Sequence, residues 1–194
     1  MAKKCTNIQK SLEWCEGTPV YPGIKKDLYY ISKSDIVKWP TLKKDVSGPS
    51  ASPVYEGNFE LAESKKWLKI SIDVRASGLT SEAQGEPPSQ TQLNKLTAVH
   101  PGVGQDASAA SFYLNNNDSV FLVSGMDGLY RVVGCDLYPG KTTVAQDLGQ
   151  GPTGTASTTI SVEATDLCPA PFYAGKIDTE DGAVNGDGSP VEDF

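Results

Sequence analysis

Few residues in this chain have a type and spacing that suggest chemistry. The only histidine is His100, followed by Pro101-Gly102 at an expected strand end. A serine-histidine-acid relay would need it as base, yet no G-x-S-x-G turn accompanies it. A surface or interface histidine is the competing reading. The cysteines are Cys5, Cys15, Cys135 and Cys168. None of their spacings is that of a zinc site, so free thiols are expected, with Cys168 in the run LCPAPF as a small buried side chain. Glu82 and Glu86 could be a general acid-base pair, and Asp178, Glu180 and Asp181 could face a calcium ion. The first pair sits in a polar segment with no pocket signal. The second group lacks the terminal bidentate glutamate of a calcium loop. Solvated carboxylates are the plainer reading of both. No phosphate-binding glycine loop is present. The residues therefore assign no catalytic, cofactor-binding or metal-binding side chain, and point to a binding or structural protein rather than an enzyme.

The elements that would position such residues are short and mostly extended. Glycine and proline supply 19 and 13 of the 194 residues, a density that favours many strands joined by turns over a helix bundle. Residues Asp27–Ser32, Ile36–Trp39 and Gly57–Ala62 read as short strands. In Trp67–Arg75, Leu68, Ile70, Ile72 and Val74 alternate with Lys69, Ser71, Asp73 and Arg75, the pattern of a half-buried antiparallel strand. Residues 155–166 alternate too, with Ala156, Thr158, Ile160, Val162 and Ala164 on one face. Leu93–His100, Ser119–Ser124 and Leu129–Cys135 are further strands, the last two joined by a Gly125–Gly128 turn. Ser81–Gln92, with Pro87-Pro88, is expected to be either a flexible loop or a hairpin ordered by a neighbour. Val46–Pro53 reads as a loop. One helix is expected over Ala107–Asn115, with Asp106 as its cap and the Asn115–Asn117 run as its stop. The fold expected is mainly β, an antiparallel sandwich or barrel with one short flanking helix.

Charge divides the chain unevenly. The net charge is −7, from 17 basic and 24 acidic residues. Residues 178–194 hold six of the acids and no base, so the rest is close to neutral. No clustered basic surface of the kind that grips nucleic acid is evident. No apolar run approaches the roughly 18 residues of a membrane span, and the N-terminus has no apolar stretch of a secretory signal. Three parts are expected: an N-terminal arm with short strands over 1–50, a β core over 51–177, and an acidic mobile tail over 178–194.

Several stretches carry a resemblance: EGNFELAESKKWLKI (56–70), TSEAQGEPPSQTQLNK (80–95), AVHPG (98–102), NNNDSVFLV (115–123), GLYRVVG (128–134) and TTISVEATDLCPAPFYAGKI (158–177). Together they resemble a family of virion structural proteins of tailed phages and prophages of gut bacteria, in particular the tail tube subunit. The resemblance spans most of 56–177 and is weaker in the first 50 residues. It implies a small β-sandwich or barrel with one flanking helix, assembled with copies of itself into stacked, six-membered rings. The sheets of a ring would join into one inner barrel through which DNA passes without specific binding. Other tail or head–tail proteins would be its remaining partners, and the virion, assembled in the host cytoplasm, its location. No membrane and no cofactor are implied, and the family carries no active site. On this expectation Trp67–Arg75 and Thr155–Asp166 line the channel with carboxylates and hydroxyls. Val46–Pro53 and Ser81–Gln92 would stack one ring on the next. A capsid decoration or connector protein, or a ligand- or host-binding β-sandwich, are the alternatives.

Overall fold

Two kinds of strand are distinguishable by pattern, and they occupy different places. VFLV (120–123) is apolar without a break, as a strand buried on both faces must be. STTISVEATD (157–166) alternates, as a strand with one wet face does. In a computed structural model describing residues 11–43, 53–187 and 189, the first kind lies inside a large sheet and the second in a smaller one. The strands run in chain order β1 (Ile24–Ser32), β2 (Ile36–Lys38), β3 (Thr41–Leu42), β4 (Val54–Glu56), β5 (Glu60–Leu61), β6 (Leu68–Ser71), β7 (Gly78–Gln84) and β8 (Thr91–Pro101). The helix α1 (Gln105–Asn115) follows. Then come β9 (Ser119–Gly125), β10 (Tyr130–Val133), β11 (Lys141–Asp147), β12 (Ser157–Asp166), β13 (Phe172–Tyr173), β14 (Lys176–Thr179) and β15 (Gly182–Asn185). The protein is mainly β with one short helix, and no helix among the described residues is long and apolar enough to cross a membrane.

The large sheet has the order β3-β4-β13-β10-β9-β1-β6, and the smaller one is the antiparallel sheet β11-β12-β8-β7. They face each other across a core built by Leu28, Tyr30, Phe121, Val123 and Val133 from one side and Leu96, Ala98, Ile160, Val162 and Ala164 from the other. The large sheet is covered on its far side as well, where Tyr29, Ile31, Leu122, Val132 and Tyr173 meet Ile36, Phe59, Trp67 and Ile177. Phe59 is the hub there, standing edge-on to Trp39 and to Trp67, each at 5.3 Å between ring centroids, an arrangement that aromatic quadrupoles favour.

The structure corrects several expectations. Strand β1 sits between β9 and β6, so residues 24–32 of the expected N-terminal arm belong to the core sheet. Only 11–23 are strand-free and exposed on that side. The long alternating strand at Trp67–Arg75 stops at Ser71, because Asp73 nucleates a turn. Its carboxylate accepts the Arg75 backbone N–H at 3.0 Å, and its carbonyl accepts from Ser77 Oγ at 2.7 Å. Of the two expectations for Ser81–Gln92, flexible loop or hairpin, the hairpin is the one formed: the segment falls mostly within β7–β8, whose connection carries a cis Pro87-Pro88 peptide. The helix starts a residue pair earlier than expected, behind Gly104 and with no side-chain cap bond, while Asp106 lies in its first turn. Its asparagines do not stop it through a left-handed residue: Asn116 has φ −116° and its Nδ2 donates to the Phe112 carbonyl at 2.8 Å. The expected acidic tail is ordered through its first part, as hairpin β14–β15. Ile177 is fully buried beneath the large sheet, and the Trp67 N–H donates to the Asp178 carbonyl at 2.9 Å. One apolar anchor and backbone pairing outweigh the acidic composition. The Val46–Pro53 loop lies almost wholly outside the described residues, as do 190–194.

Candidate functional site

The residues singled out as possible chemistry do not converge. His100 lies at the end of β8, where its Nδ1–H donates to the Ser71 carbonyl at 2.7 Å and ties the two sheets together. It borders a cavity of about 330 Å³ beneath α1, with Asp106, Ser111, Thr158 and Lys69 among its other polar lining residues. Among the described residues, no cysteine lines that cavity. Glu82 is held by Lys95 at 2.8 Å, and Glu86 lies in the hairpin turn. Asp178 pairs with Lys176 at 2.8 Å and Asp181 with Lys69. Asp178 and Asp181 are thus drawn to separate lysines rather than to one ion. Among the described residues, no group of three or more His, Cys, Asp or Glu side chains is placed to hold a metal.

Cys15, Cys135 and Cys168 are free thiols; Cys5 lies outside the described residues. Cys168 is half-buried. Burial, and after it the charges of Asp166 and Cys135, push its thiol up to about 12, so it is protonated and a poor nucleophile at neutral pH. Burial likewise raises Cys135, which sits with its sulfur 3.1 Å from the Thr165 carbonyl. Asp166 is buried beside them. Burial raises its carboxyl, partly offset by the Leu167 N–H at 2.6 Å, and its Oδ2 has no partner. This cluster is enclosed, and none of its members lines the cavity beneath α1.

The feature with a shape that suggests work is the four-stranded sheet. Its inner face is the core side. Its outer face follows from the register: Thr80 and Glu82 of β7, Leu93, Lys95, Thr97 and Val99 of β8, Thr159, Ser161 and Glu163 of β12, and Lys141, Thr143, Ala145 and Asp147 of β11. Hydroxyls are its commonest polar groups, and Leu93 and Val99 are its half-buried apolar members. Two lysines, Lys95 and Lys141, stand against three carboxylates, Glu82, Asp147 and Glu163. Each lysine has a glutamate opposite or bonded to it: Lys141 faces Glu163 in the register, and Lys95 is held by Glu82. The face is therefore polar, nearly neutral and slightly negative.

Its edges are equally distinctive. Sheets usually blunt their edges with short strands, charges, prolines or bulges. The large sheet does so, ending in β3 of two residues and β6 of four. The small sheet ends in β7 and β11, each of seven residues and each in unbroken register with its neighbour. Beside β7 runs a groove of about 370 Å³ lined by Gly78–Ser81 and, across it, Ile24, Val123 and Arg131. Of the two strands expected to line a channel, β12 lies at the centre of this sheet. Residues 67–75 do not belong to it, since β6 is the edge of the other sheet.

Strand β11 escaped the sequence reading. Its KTTVAQD run is short and has a single large apolar residue, Val144. The β-branched Thr142-Thr143-Val144 triplet is the only signal that could have marked it. Comparison with known proteins returns no match: no protein family, no curated protein and no solved structure is similar to the chain.

Proposed function

We propose that this protein is a self-assembling virion structural subunit, a tail tube protein whose four-stranded sheets join edge to edge into a barrel around a DNA conduit. The observation that carries this reading is the pair of long, seven-residue edges on a sheet with an even number of alternating strands. Strands β11 and β8 run one way, β12 and β7 the other. Rotation about a ring axis preserves strand direction. Edge β7 of one copy therefore meets edge β11 of the next antiparallel, and the alternation continues unbroken around the ring. An odd count would force a parallel seam. Such a contact is heterologous, and it closes when the rotation closes. Four strands from each of six copies exceed the 16–18 at which barrels already leave an aqueous channel.

The outer face suits the lumen of that barrel. Hydroxyls and lysines neutralised by neighbouring glutamates offer phosphate no net attraction, and the residual charge repels it over about 8–10 Å at physiological salt. DNA would slide past rather than bind.

The test is direct. Purified protein, concentrated and examined by negative-stain microscopy and light scattering, is expected to form rings or tubes with a central channel. A chain that stays monomeric at every concentration and salt overturns the reading. A ligand-binding β-sandwich is the second reading, and the cavity beneath α1 is the one observation in its favour. It requires that cavity to take up a small polar ligand while the chain remains a monomer.

A further inference from the structure

The two edges of the small sheet are not equivalent. Edge β7 is open along its groove. Edge β11 is held at its midpoint by a side chain: Asn115, the last residue of α1, accepts the Val144 N–H with Oδ1 at 2.7 Å and donates from Nδ2 to the Val144 carbonyl at 3.3 Å. A carboxamide making both bonds reproduces what a neighbouring strand would offer. In an antiparallel ladder a residue's N–H and C=O point to the same side. Val144 therefore turns both away from β12, and the backbones of Thr142 and Gln146 face the same free edge by alternation. Nearby, Thr142 Oγ1 and Asn117 Nδ2 are buried with no partner, a sign that this corner is not at its best-bonded arrangement.

We propose that β11 is the acceptor for β7 of a second copy, in the register that sets Glu82 opposite Lys141 and Leu79 opposite Val144, and that Asn115 is a latch this strand displaces. The proposal rests on the assembly reading above and adds its register and its gate. Matching the wet faces of the two strands allows only alternate registers, because a one-residue slip inverts every side chain. Among these, one pairs Glu82 with Lys141, Thr80 with Thr143 and Gly78 with Ala145 on the wet face. On the core face it pairs Leu79 with Val144 and Ser81 with Thr142, whose hydroxyl lacks a partner. A shift of two residues one way puts Leu79 against Gln146 and Ser81 against Val144, and removes the ion pair. A further shift of four that way sets Glu82 against Asp147, and like charges facing each other are unfavourable. A shift of two the other way leaves only three residue pairs.

In this register Val144 lies within the paired stretch, so its backbone must leave Asn115. The exchange trades two hydrogen bonds for two of the same kind and is close to neutral. The latch thus does not forbid assembly. It shields the edge of the free subunit from indiscriminate pairing and slows the productive encounter.

The test uses the full chain with Cys5 and Cys15 replaced by serine. Thr80→Cys protein mixed with Thr143→Cys protein is expected to form intermolecular disulfides on mild oxidation. Neither variant alone should do so, nor should Thr80→Cys mixed with Asp147→Cys. Crosslinking of Thr80→Cys by itself would mean two β7 edges pair with each other, and overturns the proposal. Asn115→Ala is expected to assemble several-fold faster than the parent by light scattering, with Asn115→Asp, which keeps only the acceptor, also faster. Unchanged or slower assembly of Asn115→Ala overturns the latch. A parent chain that assembles without the mixed crosslink overturns this proposal alone, whereas a parent chain that never assembles overturns the assembly reading with it.

Discussion

Asn94 Oδ1 accepts the Ala170 N–H at 2.9 Å and binds the small sheet to the segment that enters the large one. Asn94 is fully buried on the core side of β8. The same oxygen accepts from Ser81 Oγ at 2.6 Å, and Nδ2 reaches the Cys168 carbonyl at 3.4 Å. Removing it strands the buried Ala170 N–H, at about 1–3 kcal/mol, and also takes a partner from the half-buried Cys168 carbonyl and the exposed Ser81 hydroxyl. Asn94→Ala is expected to cost about 2–4 kcal/mol in urea unfolding, with an unchanged m-value. Loss below about 1 kcal/mol would show that water replaces the amide and that the sheets are joined by apolar contact alone.

Asp166 gives stability a definite pH slope. Burial raises its carboxyl above the usual carboxylate range, and the Leu167 N–H offsets this only in part. A carboxyl whose folded value exceeds its unfolded one keeps its proton longer in the native state. Its contribution is therefore greatest below the unfolded value near 4, falls as pH rises through the folded value, and is flat beyond it. Asp166→Asn keeps the Oδ1 acceptor for Leu167 and removes the buried charge. The variant is expected to melt about 2–4 °C higher at pH 7, with the difference vanishing towards pH 3. A lower melting point at pH 7 would mean that an ionised Asp166 is held by a partner absent from this structure.

How legible all this was depends on which residues set each element. Strands whose own side chains decide their fate were readable: β9 from its unbroken apolar run, β12 from its alternation, and the Gly125–Gly128 turn from Asp127 and Gly128, which has φ +90°. Elements decided by distant partners were not. The strand over 67–75 ends early because the Asp73 turn interrupts its alternation; Ile70 and Ile72 face the core, while Leu68 and Val74 are exposed. The hairpin at 176–185 depends on a cavity for Ile177 made by Phe59 and Trp67. No local pattern announces a side chain acting as a strand, so the Asn115 contact with Val144 was invisible. The polar outer face of the β7–β8 hairpin is why composition alone left Ser81–Gln92 open between a loop and a hairpin.

Trp67 is expected to be the costliest single truncation on the far side of the large sheet. Its side chain is 1% exposed and stands edge-on to Phe59, while its backbone N–H, which truncation leaves in place, donates to the Asp178 carbonyl. Trp67→Ala leaves a cavity at the joint between β6 and β14, at about 3–5 kcal/mol. Trp67→Phe keeps part of the ring contact and should recover at least half of that loss. Because β14–β15 closes over this site, hydrogen exchange in residues 176–185 is expected to quicken in Trp67→Ala before the β8–β12 ladder changes. Uniform acceleration across both sheets would show that the hairpin does not open separately from the core.

The hydroxyl-rich face separates a conduit from an ordinary solvated sheet. Thr97 and Ser161 are exposed, opposite one another in the β8–β12 register, and take no part in the core. Thr97→Lys with Ser161→Lys turns two lysines against three carboxylates into four against three. On a solvated surface this change is within about 0.5 kcal/mol in stability and alters nothing else. Around a closed barrel it is repeated in every copy and focused by the enclosed lumen, so the channel becomes an anion trap. Assembled tubes of the double variant are expected to retain DNA on a filter at low salt and release it as salt rises, with a log–log slope that reports the phosphates engaged. Parent tubes should retain none. The monomeric double variant is the control: if it binds DNA as tightly as the assembled form does, the face is not a lumen, and the sheet is only the wet side of a sandwich.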